Sequence, residues 1–428
     1  MNSSFSVPRA AQHILVVDDT TELRDIMRVV LESDGFVVRE LDSAQHIERE
    51  IASHRPDLIL CDLLMPGRDG FAVFKALQDD ESTRDIPLVL ATAKNFPGDR
   101  HAALQAGVAA YLVKPFDADA LLETVHDVLS ERCGVRVWGC RGSIATPEHA
   151  SGAFGGNTAC VELILPPRIT GGQHRVIFDA GTGIRALGNS IGHDAPLRAT
   201  LFLTHFHWDH IQGLPFFKPL YKPGNEISIF GPAADSNELV ATIGGQMGGA
   251  FFPITTDAFS SSVKYIGLGE ETFEAAGLQF ETLGVMHPGQ TLAYKVTWQE
   301  HSIVYVPDNE VLPDSVANSE GQLELSGEAL RLAQWIEGAS LLLHDCQYDR
   351  EGYEAHPGWG HSSACYLAAV AAVARVPQVL LFHHDPDHGD AKIEAIHHEF
   401  RTQLEAYDPE CAQTIQSQPA AEDTFYPL

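Results

Sequence analysis

The stretch Thr204-His205-Phe206-His207-Trp208-Asp209-His210 decides how this chain is read. Residues 199–203 (ATLFL) precede it, an apolar run with the length of a buried strand. The stretch therefore occupies the loop that leaves a strand end. Three histidines and one aspartate fall within six residues. In a tight loop, His205 and His207 point the same way, and Asp209 and His210 turn back. That supplies two imidazoles for one metal, and a carboxylate with an imidazole for a second. Imidazole and carboxylate without thiolate suit zinc, and also manganese or iron.

A chain of 428 residues suggests two or three domains. It is 44% hydrophobic and 20% charged, enough to bury large cores. The formal net charge of -30 disfavours long nucleic acid and anionic membrane surfaces as partners. One small phosphate ester is still compatible with it, where local cations supply the counter-charge. Seven cysteines are scattered without a CxxC pair, which reads as free thiols in a reducing cytoplasm. The segment from Met1 to Ala11 is polar and lacks a signal-peptide core, and there is no apolar run of membrane-spanning length.

Residues 12–132 alternate strand-like and helix-like segments with short connections. Five strands with five helices predict an α/β domain built on a doubly wound parallel sheet. Such folds place their sites at the carboxyl ends of strands. Asp18 and Asp19 follow the first strand, Asp62 the third, Thr92 the fourth and Lys114 the fifth. Three carboxylates make a hard, oxygen-rich magnesium site. Asp62 can act as a carboxylate nucleophile toward a phosphoryl donor, with Thr92 and Lys114 receiving the new oxygens.

The segments VVDD (16–19), CDLLMPG (61–67), ATA (91–93) and VKPF (113–116) closely resemble the receiver domain of two-component response regulators. The gaps of 30 residues from Asp62 to Thr92 and 22 from Thr92 to Lys114 agree with that family. The resemblance implies that Asp62 is the phosphoacceptor, that Asp18, Asp19 and Asp62 hold magnesium, and that Tyr111 is the switch aromatic. It also implies a sensor histidine kinase as partner and a homodimer as the assembly.

The last receiver helix is expected to run to about Arg132, with a stop at Cys133-Gly134 and a strand from Val135. No flexible linker separates it from the second domain, residues 134–428, so a packed and coupled pair of domains is expected. In this domain the histidines and acids again follow apolar runs: His287, Asp308, His344-Asp345 and His383. HxHxDH, a lone His, a strand-end Asp and a final strand-end His, in this order, resemble the motif set of the metallo-β-lactamase-fold superfamily, an αββα sandwich. Asp179 in FDAGTG (178–183) matches its early structural aspartate. The resemblance implies a dinuclear site. His205, His207 and His287 would bind one metal, Asp209, His210 and His383 the second, and Asp308 both. His384 is the neighbouring alternative to His383, which the strand end favours.

His207 stands where iron-based redox members carry Glu, and no cysteine holds a ligand position. GHSS (360–363) resembles the branch with the tRNA 3′-processing endonuclease and small phosphodiesterases, in which His361, paired with Asp345, lies near the phosphate. Only 21 residues separate His287 from Asp308, leaving no room for a tRNA-binding arm. A small phosphodiester, such as a cyclic nucleotide, is the expected substrate. Asp209 and Asp308 would hold the attacking water, and His361 would protonate the departing oxygen. The Gly-rich loops GCRGS (139–143) and FGGNT (154–158) resemble cyclic-nucleotide-phosphodiesterase-like members, and their Arg141 and Asn157 either contact substrate or shape turns. Phe216, Phe217, Phe251 and Phe252 pack the core or stack on a base. Two other readings share the metal motif: a lactonase or thioesterase, and a non-enzymatic module that binds a ligand or partner.

Overall fold

The structure is a computed structural model that describes residues 13–428, except 55, 81–82, 84–85, 94–96, 130–132, 151, 171–173, 192–195 and 320–321. The polar segment Met1–Ala11 and the expected end of the last receiver helix at residues 130–132 lie outside the described residues. Contacts divide the chain into two units. One extends to Cys133 and takes in Leu165–Arg168, and the other comprises Gly134–Ile164 and Ile169–Leu428.

The first unit is a five-stranded, all-parallel sheet. Its order is Val37–Leu41, His13–Val17, Leu58–Asp62, Leu88–Thr92, Ala110–Val113. Leu58–Asp62 and Leu88–Thr92 are buried at every residue, as strands covered on both faces must be. One face carries Leu15, Val17, Ile59, Cys61 and Leu90, and the other Ile14, Val16, Leu58, Leu60 and Val89. Asp117 caps the helix Ala118–Leu129 by accepting from the Ala120 N–H at 2.8 Å.

The second unit holds two seven-stranded sheets. One runs Ser262–Leu268, Glu226–Pro232, Arg198–Phe202, His174–Phe178, Cys160–Ile164, Gly134–Gly139, Thr424–Pro427. The other runs Thr272–Ala275, Leu278–Gly284, Leu292–Trp298, His301–Val306, Leu341–Asp345, Gln378–Phe382, Gln416–Pro419. Each has a four-stranded parallel part and an antiparallel part. Aromatic rings fill the space between them: Phe202 lies 4.4 Å from Phe280, and Phe178 lies 5.3 Å from Tyr305. Strand periodicity sends the neighbouring Ile177 and Leu201 to the opposite face, under the helices. On the outer face of the second sheet, Ala364–Ala374 is almost wholly buried, and Asp390–Tyr407 presents Ile393, Ile396, Phe400 and Leu404 to the core.

Two sequence expectations change. The helix expected over 361–373 begins at Ala364, because the Ser362 N–H donates to Asp345 and holds residues 361–363 outside the helix. The strands Gln416–Pro419 and Thr424–Pro427, unmarked in the sequence, close one edge of each sheet. They are only four residues long, too short to carry a clear apolar pattern.

All seven cysteines are buried, and none forms a disulfide. Burial pushes the Cys140 thiol up to about 12, and the thiols of Cys61, Cys160 and Cys346 also lie above their ordinary value. The thiolate is the reactive form, so native protein is expected to react slowly with a thiol reagent such as DTNB and to release seven equivalents only on unfolding. Rapid titration of two or more thiols in the native state would contradict this packing.

Candidate metal centres

The loop after the strand Arg198–Phe202 turns at once into the short helix Trp208–Ile211, which brings His205, Asp209 and His210 inward. His287 follows Leu278–Gly284, Asp308 follows His301–Val306, and His383 follows Gln378–Phe382. Their donor atoms form two groups, each lying within 4.8 Å: His205, His207, His287, Asp308, and Asp209, His210, Asp308, His383. Asp308 belongs to both. His205, Asp209, His210, Asp308 and His383 are buried, whereas His207 is exposed, so the centre opens on the His207 side.

Each inward histidine is held by its other ring nitrogen. Nδ1 of His210 meets Asp179 Oδ2 at 2.8 Å, that of His287 meets the Gly360 carbonyl at 2.9 Å, and that of His383 meets Gln347 Oε1 at 3.1 Å. His205 Nδ1 meets Thr204 Oγ1 at 3.1 Å. These bonds fix the tautomer and aim Nε2 at the centre. There, His205 Nε2 and Asp308 Oδ1 are buried without a hydrogen-bond partner among the described residues. Buried polar atoms left in this way, on convergent imidazoles and carboxylates, fit a pair of divalent cations.

Electrostatics favours the same occupants. Burial lowers the His205 pKa well below its ordinary value, which leaves the neutral imidazole that can ligate. Burial acts against the Asp308 carboxylate, but His210 and His383 more than offset it, so the carboxyl lies well below its ordinary value. Asp209 is depressed in the same way.

Three of the seven non-glycine residues with positive φ among the described residues lie here. Asp179, His383 and Ser143 have φ of 58°, 61° and 62°. Such conformations persist where surrounding bonds enforce them. Ser143 N–H donates to Asp209 Oδ2 at 2.7 Å. Gly142 must be glycine, since a Cβ there would lie 2.4 Å from the His383 ring.

Beside the centre, His361 Nδ1 lies 2.6 Å from Asp345 Oδ2. Its ring stacks on His383 at 4.8 Å and meets His287 at 5.2 Å. Burial opposes the charged form of His361, but Asp345 raises its pKa to about 9. The other Asp345 oxygen accepts from the Ser362 N–H at 2.9 Å.

Several expected residues lie elsewhere. Arg141 is fully buried, and its guanidinium donates to the carbonyls of Gly155, Asp385 and His388, so it ties loops together. Asn157 donates its side-chain amide to Glu422. Both geometries are those of turn shaping. His384 is a neutral buried imidazole, its pKa pushed down to about 3 by burial, bonded to the Ala420 carbonyl at 2.9 Å. Phe217 is core, whereas Phe216 and Phe251 are exposed.

Sequence reading missed Glu310. This buried carboxylate accepts from Tyr353 Oη and from the N–H groups of Gly358 and Gly360. It pins the loop that carries His361 and the Gly360 carbonyl. Only its place two residues after Asp308 hinted at a role.

In the first unit, Asp18, Asp19 and Asp62 converge within 4.8 Å. Lys114 Nζ lies 2.5 Å from Asp18 and 3.3 Å from Asp62. Burial raises the Asp62 carboxyl, with Lys114 opposing it. Three carboxylates fit a hard divalent ion. Thr92 and Tyr111 are both buried.

Comparison with known proteins agrees with this architecture. Residues 14–126 match the response regulator receiver domain, and residues 174–384 match the beta-lactamase superfamily domain. The chain thus joins a receiver domain to a domain of the metallo-β-lactamase fold. The phosphate regulon transcriptional regulatory protein PhoB of Pseudomonas aeruginosa is 35% identical over 116 residues, 27% of this chain and 51% of that protein. The response regulator PleD of Caulobacter vibrioides is 37% identical over 115 residues, 27% of this chain and 25% of that protein. The chain spans about half the length of PhoB and less of PleD, within the receiver only. Among solved structures, the metallo-beta-lactamase fold protein YhfI from Bacillus subtilis aligns with 69% of this chain and 99% of its own (17% identity, TM-score 0.49). A diphosphatase from the PhnP family covers 69% of this chain and 98% of its own (16% identity, TM-score 0.47). No helix among the described residues is long and apolar enough to cross a membrane.

Zinc-loaded protein is expected to hold two ions per chain in the second unit, and Asp308→Ala to hold fewer than one, measured by elemental analysis after desalting. Asp179→Asn removes the carboxylate behind His210 and is expected to weaken zinc binding by about 10- to 100-fold in competition with a chromogenic chelator. Unchanged affinity in Asp179→Asn would show that the charge behind His210 does not strengthen the metal site.

Proposed function

We propose that this protein is a two-component response regulator whose output is a metal-dependent phosphodiesterase acting on a small phosphodiester, such as a cyclic nucleotide. The observation that carries the reading is the Asp345–His361 pair, 2.6 Å apart and packed on His383 and His287. A thioester hydrolase expels a thiolate, which needs no proton donor, whereas a phosphodiesterase expels an alkoxide, which does; a lactonase also expels an alkoxide, and the substrate comparison below separates it.

His205, His207, His287 and Asp308 would hold one zinc ion, and Asp209, His210, Asp308 and His383 the other. When bound, such ions supply Lewis acidity to phosphate oxygens and acidify water. Asp209 is kept anionic, and the Ser143 N–H fixes its carboxylate. His361 carries its proton on the side away from Asp345 and delivers it to the departing oxygen. Asp345 is a positioning residue: it fixes the tautomer and the ring plane, and it stabilises the imidazolium. His361→Ala is expected to lower kcat for a cyclic nucleotide, which expels an alkoxide, by about 100-fold with two zinc ions retained, and to affect bis-p-nitrophenyl phosphate much less. Parallel loss of metal and activity would make His361 structural. Lactone or thioester turnover with inert phosphodiesters would move the output to that chemistry.

In the receiver, Asp62 would accept the phosphoryl group from a histidine kinase, with magnesium held by Asp18, Asp19 and Asp62. The added dianion draws on Lys114 and Thr92, and Tyr111 follows. Phosphorylation is proposed to change turnover by about 5- to 150-fold, the range of ordinary allosteric coupling, with activation as the expected direction. Beryllofluoride with magnesium mimics the acyl phosphate, and Asp62→Ala is the control. Kinetics and oligomeric state that both stay unchanged while beryllofluoride binds would remove the receiver from control of the hydrolase.

A further inference from the structure

Four exposed apolar side chains stand beside the metal centre in the sequence, each from a different loop. Trp208, 74% exposed, lies between His207 and Asp209. Met286, 40% exposed, precedes His287. Ile144, 59% exposed, follows Ser143, whose N–H holds Asp209. Trp359, 60% exposed, is two residues before His361. Its ring packs on His356 at 4.6 Å, His356 stacks on Tyr348 at 5.2 Å, and Tyr348 meets His361 at 6.3 Å. Isolated exposed apolar residues are ordinary, but these four each stand within two residues of a ligand, of the N–H that holds Asp209, or of His361. Met286 also lines a cavity of about 220 Å³, whose walls include Leu283, Val285, Val311 and Leu332 as well as Asn309, Glu310 and Asp314.

Cations are missing from the same loops. Residues 204–212, 285–291, 307–312, 356–363 and 383–389 contain no lysine or arginine. Arg141, on the loop before Ile144, is buried and bonded to carbonyls. Beyond the metal ions and His361, these loops bring no cation to a second phosphate of a polyphosphate or a polynucleotide.

We propose that Ile144, Trp208, Met286 and Trp359 form the binding rim for the uncharged part of the substrate, and that this part is flat and apolar: an aryl group or a nucleobase on a single phosphoester. The assignment rests on the phosphodiesterase reading for its phosphate, and it adds the class of the organic group. Trp208 and Trp359 supply ring faces, and stacking of one base on an aromatic side chain is typically worth about 1–3 kcal/mol.

The test separates binding from turnover. Phenylphosphonate and methylphosphonate carry the same anionic group and differ only in the neutral one. Titrated calorimetrically into the zinc-loaded full chain, phenylphosphonate is expected to bind about 10-fold tighter, within the range of one stacked ring. Trp208→Ala and Trp359→Ala are each expected to erode that preference while methylphosphonate affinity and zinc content hold. Equal affinities in the wild type, no binding of either probe, or a preference that survives both substitutions overturns the proposal. So does a loss of dimer in sedimentation with the preference intact, which would make the rim a contact between copies. Phosphodiester turnover is scored apart: inert phosphodiesters beside active lactones sink the phosphodiesterase reading, while a phenyl preference lost on tryptophan removal still supports the rim.

Discussion

The second unit depends on one buried carboxylate. Asp179 stands at the end of His174–Phe178 in a strained conformation and is wholly buried. It accepts from the Thr204 N–H at 2.8 Å, from Thr204 Oγ1 at 3.0 Å, from His210 Nδ1 at 2.8 Å and from Tyr305 Oη at 3.0 Å. Thr204 and His210 belong to the loop leaving the first sheet, and Tyr305 to a strand of the second. One side chain therefore locks the two sheets at the point where the ligands emerge. Removing one donor from so many would leave a buried anion underbonded, which costs more than the net worth of a single hydrogen bond.

This arrangement lets loops carry a rigid site. A histidine on a loop has rotamer freedom that a ligand cannot tolerate, and here a partner on the far ring nitrogen removes it. The partners differ: a carboxylate for His210, an amide for His383, a carbonyl for His287 and a hydroxyl for His205. The Gly360 carbonyl is itself fixed because Glu310 takes its N–H. Each partner is positioned by packing farther out, so the centre inherits the rigidity of the sheets.

Much of this was legible in the sequence because ligands are dense and strand ends are apolar. HxHxDH, the strand-end Asp308 and His383, and the pairing of Asp345 with His361 could all be placed before any coordinates. What stayed hidden depends on pairs remote in sequence. Gln347 reaches His383 across 36 residues, and Glu422 reaches Asn157 across 265. Nothing local to Gln347 or Glu422 distinguishes them from surface polar residues, and Glu310 is marked only by its place two residues after Asp308. For Arg141 the sequence left substrate contact and turn shaping open, because only the fold brings Gly155, Asp385 and His388 to its guanidinium, where three carbonyls receive it in the interior. Aromatic residues divided likewise: Phe216 and Phe217 are adjacent, but only Phe217 faces the core.

The two cation sites obey different physical logic. In the receiver, the donors are all carboxylates, Asp19 is exposed, and Lys114 already sits against Asp18 and Asp62. An ammonium there neutralises part of the field that an ion would use, so an ion would be held weakly. A phosphoryl group on Asp62 would add oxygens and charge at that spot and favour the ion. In the second unit, no lysine or arginine competes on the ligand loops, and the imidazoles are aimed before an ion arrives. Binding there spends little on ordering side chains. Donor chemistry adds a second separation, since nitrogen-rich sites suit zinc and oxygen-only sites suit magnesium. Two divalent ions of different hardness would therefore sort between the two donor sets rather than compete for one.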